Sequence, residues 1–185
     1  MRLSEPRVQP LALDELSDDA LKSLGRERGG KQPLLNIFAT LAHHPKLMKR
    51  WLVFGNHVLS KSTLAPRERE LVILRIGWLC QAEYEFGQHT VIGKQTGLSD
   101  EEIKRVTEGP GAEGWSELDA LLLRAVDELH ADAFMSDPTW KALAGQLSTE
   151  QLMDLIFAVG QYNLVSMALN SLGVQLDEGV PGFPD

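Results

Sequence analysis

The stretch PRERELVILRIGWLCQAEYEFGQHTVIGKQTGLSDEEI, from Pro66 to Ile103, reads as three successive helices. Pro66 suits a first helical position, where its missing N–H costs nothing, and Arg67-Glu68-Arg69-Glu70 behind it are good helix formers. The first helix is predicted to run to about Leu79. A second covers about Gln81 to Gln95 and stops at Gly97, which adopts a left-handed cap without penalty. Ser99 and Glu102 make a capping box that opens a short third helix.

The same punctuation continues outward. Towards the N-terminus, Pro33 opens a pattern of Leu34, Leu35, Ile37, Phe38 and Leu41 at helical spacing. His44-Pro45 interrupts it before a helix from about Lys46 to Leu59. Towards the C-terminus, Gly109-Pro110-Gly111 and Gly114 form a loop. Ser116 then starts a helix with an apolar stripe at Leu118, Leu121, Leu122, Ala125 and Leu129. Asp137-Pro138 opens a short helix, and Ser148 with Gln151 launches a long one that ends at Gly173. With no useful alternating run and no internal repeat, the prediction is an all-α single domain of about seven or eight helices. Residues 1–32, with Gly29-Gly30 near their end, form an N-terminal arm with a short helical pattern at Leu13 to Leu24. Residues 33–176 form the helical domain and 177–185 an irregular tail.

Composition narrows the function. The chain has 185 residues, 43% of them hydrophobic, enough for one core. A net charge of −8 opposes binding to a phosphate backbone or an anionic membrane, so nucleic acid is not an expected partner. The tract Leu152 to Leu172 approaches bilayer length but carries Asp154, Gln161, Asn163 and Asn170, so a buried helix is expected rather than a span. The N-terminus lacks a secretory h-region, and the expected location is the cytoplasm. The single cysteine, Cys80, excludes an intrachain disulfide, a C-x-x-C pair and a thiolate zinc cluster.

The helical wheel directs attention to three ionisable residues. Glu70 falls in line with Ile73, Leu74, Gly77 and Trp78, while Glu68 and Arg75 lie away from that stripe, so Glu70 is predicted to point inward. If Glu83 and Lys94 face solvent, Glu85 and His89 face the core. Spaced i, i+4, these two approach on one face, where a carboxylate favours imidazolium and burial opposes it. The pair is suited to proton transfer, and equally to bracing a helix. His43 and His44 are expected to serve the last carbonyls of the helix before Pro45. His57 and His130 are lone helix residues, and no metal-ligand spacing appears. Cys80 stands where free amides at a helix start could lower its pKa, or packs as a small apolar residue. Tyr162 and Asn163 could line a pocket or tie helices together. Trp78, Cys80 and Tyr162 are the candidate substrate contacts.

The segments Arg67 to Leu71, Glu83 to His89 and Gly97 to Ile103 resemble the signature of the carboxymuconolactone decarboxylase family, within the AhpD-like superfamily. The likeness is strongest over about residues 40–110, and Gly160-Gln161-Tyr162-Asn163 extends it loosely. The resemblance implies an AhpD-like helical bundle that assembles as a trimer or hexamer. AhpD-type peroxidases carry a glutamate, a C-x-x-C pair and a histidine. Here the glutamate matches Glu70, the histidine matches His89, and the cysteine places fall on Ala82 and Glu85.

By that resemblance the leading expectation is a cofactor-free, metal-free lyase of aromatic-compound catabolism. It would decarboxylate, or act in a related way on, a small cyclic or aromatic-derived acid or lactone. His89 would be the proton donor, and Glu70 and Glu85 would orient it and tune its pKa. A cationic anchor for substrate carboxylates would be expected too, with Arg67, Arg75 and Lys94 the nearest in sequence. The alternatives are a peroxiredoxin-type antioxidant protein using Cys80, and a non-catalytic binding or assembly protein on the same scaffold.

Overall fold

The computed structural model describes residues 2–27 and 33–184; Gly29-Gly30 lie outside the described residues. Among those residues every regular element is helical. A 3₁₀ turn, Leu13–Glu15, precedes α1 (Asp18–Ser23), α2 (Asn36–Leu41), α3 (Pro45–Ser60), α4 (Pro66–Leu79), α5 (Glu83–Gln95), α6 (Asp100–Glu108), α7 (Glu117–Asp132), α8 (Asp137–Ala144) and α9 (Thr149–Leu172). The all-α reading holds. The expected seven or eight helices become nine, because the pattern in the N-terminal arm is a capped helix: Ser17 Oγ accepts the Ala20 N–H. Leu16, Ala20 and Leu21 of the arm pack with Ala42 and Met48 in a small core of their own.

Most helix starts follow their sequence signals, but Pro33 does not open α2, which begins at Asn36 after an extended Leu35 because the Asn36 N–H bonds Asp177 of the tail. Ser99, Ser116 and Ser148 each accept an N–H from the first turn of α6, α7 and α9. α3 begins one residue earlier than expected, with Pro45 at its first position and His44 Nδ1 accepting the Leu47 N–H. His44 thus caps the start of the following helix instead of the end of the preceding one, and His43 Nε2 bonds the Gln9 carbonyl at 2.9 Å.

α4 is the axis of the fold. All nine residues from Arg69 to Gly77 are buried, because the helix is covered by α5, α6, α7 and α9 together. A helix enclosed on every side needs apolar residues on every side, and Leu71, Val72, Ile73, Leu74 and Ile76 supply them. The two ionisable side chains expected on its faces fare differently from the prediction. Glu70 is inward as expected, but Arg75 is buried as well. Its guanidinium grips Asp127 at 2.6 and 2.9 Å and the carbonyls of Val106 and Thr107 at 2.7 and 3.1 Å. These carbonyls belong to the last turn of α6, so Arg75 closes that helix end with a buried cation.

α5 turns back on α4 through Gln81, whose φ of 52° is left-handed, and the Ala82 N–H bonds the Gly77 carbonyl. It is buried on two faces rather than one. Its far side is covered by the chain after α9: a Cβ on Gly87 would stand 2.2 Å from the Pro181 carbonyl oxygen. Asp177 fixes that segment by accepting from Tyr84 Oη at 2.6 Å, Gln88 Nε2 at 2.7 Å and the Asn36 N–H at 2.8 Å. α9 is long and apolar enough to cross a bilayer by length and composition, and half of its apolar window is buried within the fold.

Candidate active site

Where α4 meets α5, three predicted residues come together. Glu70, Glu85 and His89 are 0%, 4% and 5% exposed, so their charges can be stabilised only by one another and by immediate neighbours. His89 Nδ1 lies 2.5 Å from Glu70 Oε2, and His89 Nε2 lies 2.9 Å from Glu85 Oε1. The second bond is the i, i+4 pair anticipated on α5. Arg69 completes the chain, its guanidinium 2.9 Å from Glu70 Oε1. The sequence order is therefore converted into a linear network, Arg69–Glu70–His89–Glu85.

Burial acts to lower the pKa of His89, but the hydrogen bonds and charges of Glu70 and Glu85 outweigh it and push the imidazole up to about 9. At neutral pH the ring is an imidazolium that donates from both nitrogens. With two cations and two carboxylates, the cluster is formally neutral, which makes its burial tolerable. Both ring nitrogens are occupied by carboxylates and leave no lone pair for a metal. Among the described residues no group of three or more His, Cys, Asp or Glu is placed to hold one.

One end of the network opens on a cavity of about 240 Å³ whose wall includes Glu85, His89, Gln88, Tyr84, Gln161 and Tyr162, together with Trp51 and aliphatic side chains of α3. Glu70 and Arg69 lie behind this wall. Tyr162 sets its ring edge-on to His89 with centroids 4.8 Å apart. Burial, and then the charges of Glu85 and Glu70, raise its phenol well above the ordinary range, so the hydroxyl remains a donor. A larger apolar groove of about 670 Å³ between α3 and α9 adjoins the cavity and shares Ile37, Trp51, Gln161 and Val165 with it. Its one charged lining residue is the exposed Arg50, so Glu85 and His89 face the smaller cavity and not the groove.

Other sequence candidates fall elsewhere. Trp78 does not line the cavity; it stacks edge-to-face on Phe86 and on Phe183 of the tail, at 6.2 and 5.0 Å, in a second core. Cys80 does not line it either. It is the C-terminal cap of α4, so the carbonyl end of a helix surrounds it, not the amide end that would acidify it. Burial pushes its thiol up from the ordinary value, and Sγ donates to Asn163 Oδ1 at 3.1 Å. Its carbonyl accepts from Asn170 and Arg2, so residue and surroundings form a tie between α4 and α9. None of the three cations considered as a substrate anchor reaches the cavity. Arg67 pairs with Asp119 and Glu102, Arg75 with Asp127, and Lys94 with Asp100.

Sequence reasoning missed Arg69 and Gln161. Arg69 neighbours Glu70 along the helix, and adjacent positions do not share a face. The length of the arginine stem lets the guanidinium reach round to the carboxylate regardless. Gln161 sits on the most apolar helix, where a polar residue is a weak signal unless its partners are known.

The fold and this cluster define an all-helical protein with a buried carboxylate–imidazolium–carboxylate chain opening on a mostly apolar cavity. Residues 45–127 match the carboxymuconolactone decarboxylase family model. The alkylhydroperoxidase AhpD core protein of Ralstonia eutropha JMP134, an uncharacterized peroxidase-related protein, superposes with a TM-score of 0.78. It has 17% identity, over 94% of this chain and 93% of that one. A peroxidase-related protein of Silicibacter sp. TM1040 gives 0.78 at 14% identity, over 97% and 96%. The debrominase Bmp8, as a cysteine-to-alanine variant in complex with 2,3,4-tribromopyrrole, gives 0.72 at 14% identity, over 95% and 94%. None of the curated proteins matches the chain. The fold is that of these AhpD-like proteins, and the stretch that matches the family model contains Glu70, Glu85 and His89.

Proposed function

We propose that this protein is an acid–base enzyme, of the lyase type found among decarboxylases, acting on a small cyclic or aromatic-derived compound. The observation that carries the reading is His89 clamped between Glu70 and Glu85 at the wall of the cavity. An imidazolium held in one orientation by two carboxylates is a preorganised proton reservoir. Glu70 fixes Nδ1, and Nε2–H faces Glu85. A proton passes from Nε2 to Glu85 and from there to a carbon of the substrate, and returns by the same route. The bulk of the cavity wall is apolar, which suits a ring compound. Bmp8, on a similar fold, was captured with a small halogenated ring compound, 2,3,4-tribromopyrrole.

The peroxidase alternative is disfavoured by Cys80, whose half-buried thiol has its pKa raised by burial and is hydrogen-bonded between helices. A homo-oligomer belongs to the same proposal. Phe157, Leu164 and Met167 on α9 and Val53 on α3 are 52%, 51%, 58% and 73% exposed. A second copy of the chain would cover that face.

The test is carbon dioxide release from γ-carboxymuconolactone, together with solvent-deuterium uptake by a panel of cyclic lactones and ketones. Native protein and a folded His89→Gln variant are compared. Turnover that falls about a hundredfold or more in the variant is expected. Equal rates in the two proteins, or no reaction with any compound, would remove the acid–base reading.

A further inference from the structure

Two side chains in the cavity are left with nothing to bind. Gln161 and Tyr162, consecutive on α9, are only 5% and 6% exposed, and both line the cavity. Neither the Gln161 carboxamide nor the Tyr162 hydroxyl hydrogen-bonds to another described residue, whereas Glu85 and His89 on the same wall bond each other. The Trp51 indole N–H, on the wall shared by cavity and groove, is also buried and unpartnered. Polar groups that line a cavity without a protein partner are free to bind a ligand atom there.

We propose that the Gln161 carboxamide and the Tyr162 hydroxyl form a donor pair that binds the carbonyl oxygen of an uncharged cyclic compound, positioning a neighbouring carbon for Glu85. This rests on the acid–base reading and names its substrate class. Three observations select the chemistry. Tyr162 stays protonated, so its hydroxyl keeps a proton to donate to an acceptor. The ionisable groups of the wall that exchange protons are Glu85 and His89, and no lysine or arginine lines it, so an anionic ligand would face Glu85 without a free counter-charge. The remaining wall is dominated by aliphatic and aromatic side chains, which suit a ring.

The step balances with groups present. Glu85 takes the proton from the carbon beside the carbonyl, the C–H pair forms a carbon–carbon double bond, and the carbonyl π pair moves to oxygen. The developing oxyanion sits on the Tyr162 O–H and Gln161 N–H. Return of the proton from Glu85 to carbon restores the carbonyl.

The experiment titrates native protein, Gln161→Leu and Tyr162→Phe with acetophenone, ethylbenzene and benzoate by ligand-observed NMR. It also follows deuteration of the acetophenone methyl group in D₂O. Native protein is expected to prefer acetophenone over both other probes. Either substitution should weaken acetophenone about tenfold and leave ethylbenzene unchanged, the size of one neutral hydrogen bond. Benzoate binding best, a preference that survives both substitutions, or no binding of any probe would overturn the donor pair. Preference without methyl deuteration would uphold the donor pair and count against the acid–base reading. Deuteration at the native rate in both variants would uphold the acid–base reading and overturn the donor pair.

Discussion

Raising the pH should unfold this protein by way of His89. The ring titrates near 6.5 when exposed and at about 9 in the folded cluster. Below 6.5 both folded and unfolded chains carry the proton, and the stabilisation is complete. As pH rises from there the unfolded chain loses its proton first, and by pH 9 to 10 the folded chain has followed, so the contribution fades across that window. A separation of about 2.5 units corresponds to about 3 kcal/mol at most. For a chain of this size that is roughly 6–12 °C in melting temperature. The assay is thermal and urea unfolding at intervals from pH 6 to 10 for native protein and His89→Gln. The variant, with two buried carboxylates and one cation fewer, should begin less stable at pH 6.5, and it should lack the native decline above pH 7. Subtracting one curve from the other removes every group the two proteins share. Parallel curves would refute the claim that Glu70 and Glu85 hold the ring as an imidazolium.

Glu85→Gln should remove deuterium uptake about as thoroughly as His89→Gln and roughly halve the alkaline decline in stability, measured in the same two assays. Gly87→Ala should destabilise the protein by about 1–3 kcal/mol, because the added methyl collides with the Pro181 carbonyl and lifts the tail from α5. Limited proteolysis after Asp177 would report the lifting, and native resistance would contradict it. Arg75→Met strips Asp127 and the last carbonyls of α6 of their partner and should cost about 2–3 kcal/mol in urea unfolding. Leu164→Glu places a charge on the exposed face of α9 and should shift the protein to a smaller species in sedimentation, whereas an unchanged mass would leave that face unassigned.

Most of the fold was legible because it is written in local chemistry. Pro45, Pro66, Ser99, Ser116 and Ser148 mark helix starts by satisfying or dispensing with amides within the same turn, and Gly173 ends α9 with a φ of 72°. The core of the site was legible for a similar reason: Glu85 and His89 are one helical turn apart, and Glu70 shares a face with apolar residues. What could not be read depends on tertiary neighbours. Arg75 lies off the apolar stripe of α4, yet α6 and α7 cover it. α5 looked two-faced until the tail closed its second side. Trp78 was expected at the substrate, and it is Phe183, more than a hundred residues later, that draws it into another core.

Position 85 is where this chain departs from the cysteine pattern of the AhpD-type motif it resembles. By resemblance, the two cysteine places fall on Ala82 and Glu85, while the glutamate and histidine places keep Glu70 and His89. Ala82 is fully buried and starts the turn into α5, so a methyl there serves packing alone. Glu85 does more than fill its place: its carboxylate holds His89 Nε2 at 2.9 Å. A thiol beside the imidazole would give up its proton and act on electrons. A carboxylate in the same position cannot be oxidised or form a disulfide, but it raises the proton affinity of the ring and offers a second site for that proton at the cavity wall. The lone Cys80 does not fill either cysteine place, since it caps α4 outside the cavity and bonds Asn163. Under the acid–base proposal, position 85 offers a proton where the AhpD-type motif offers a thiol.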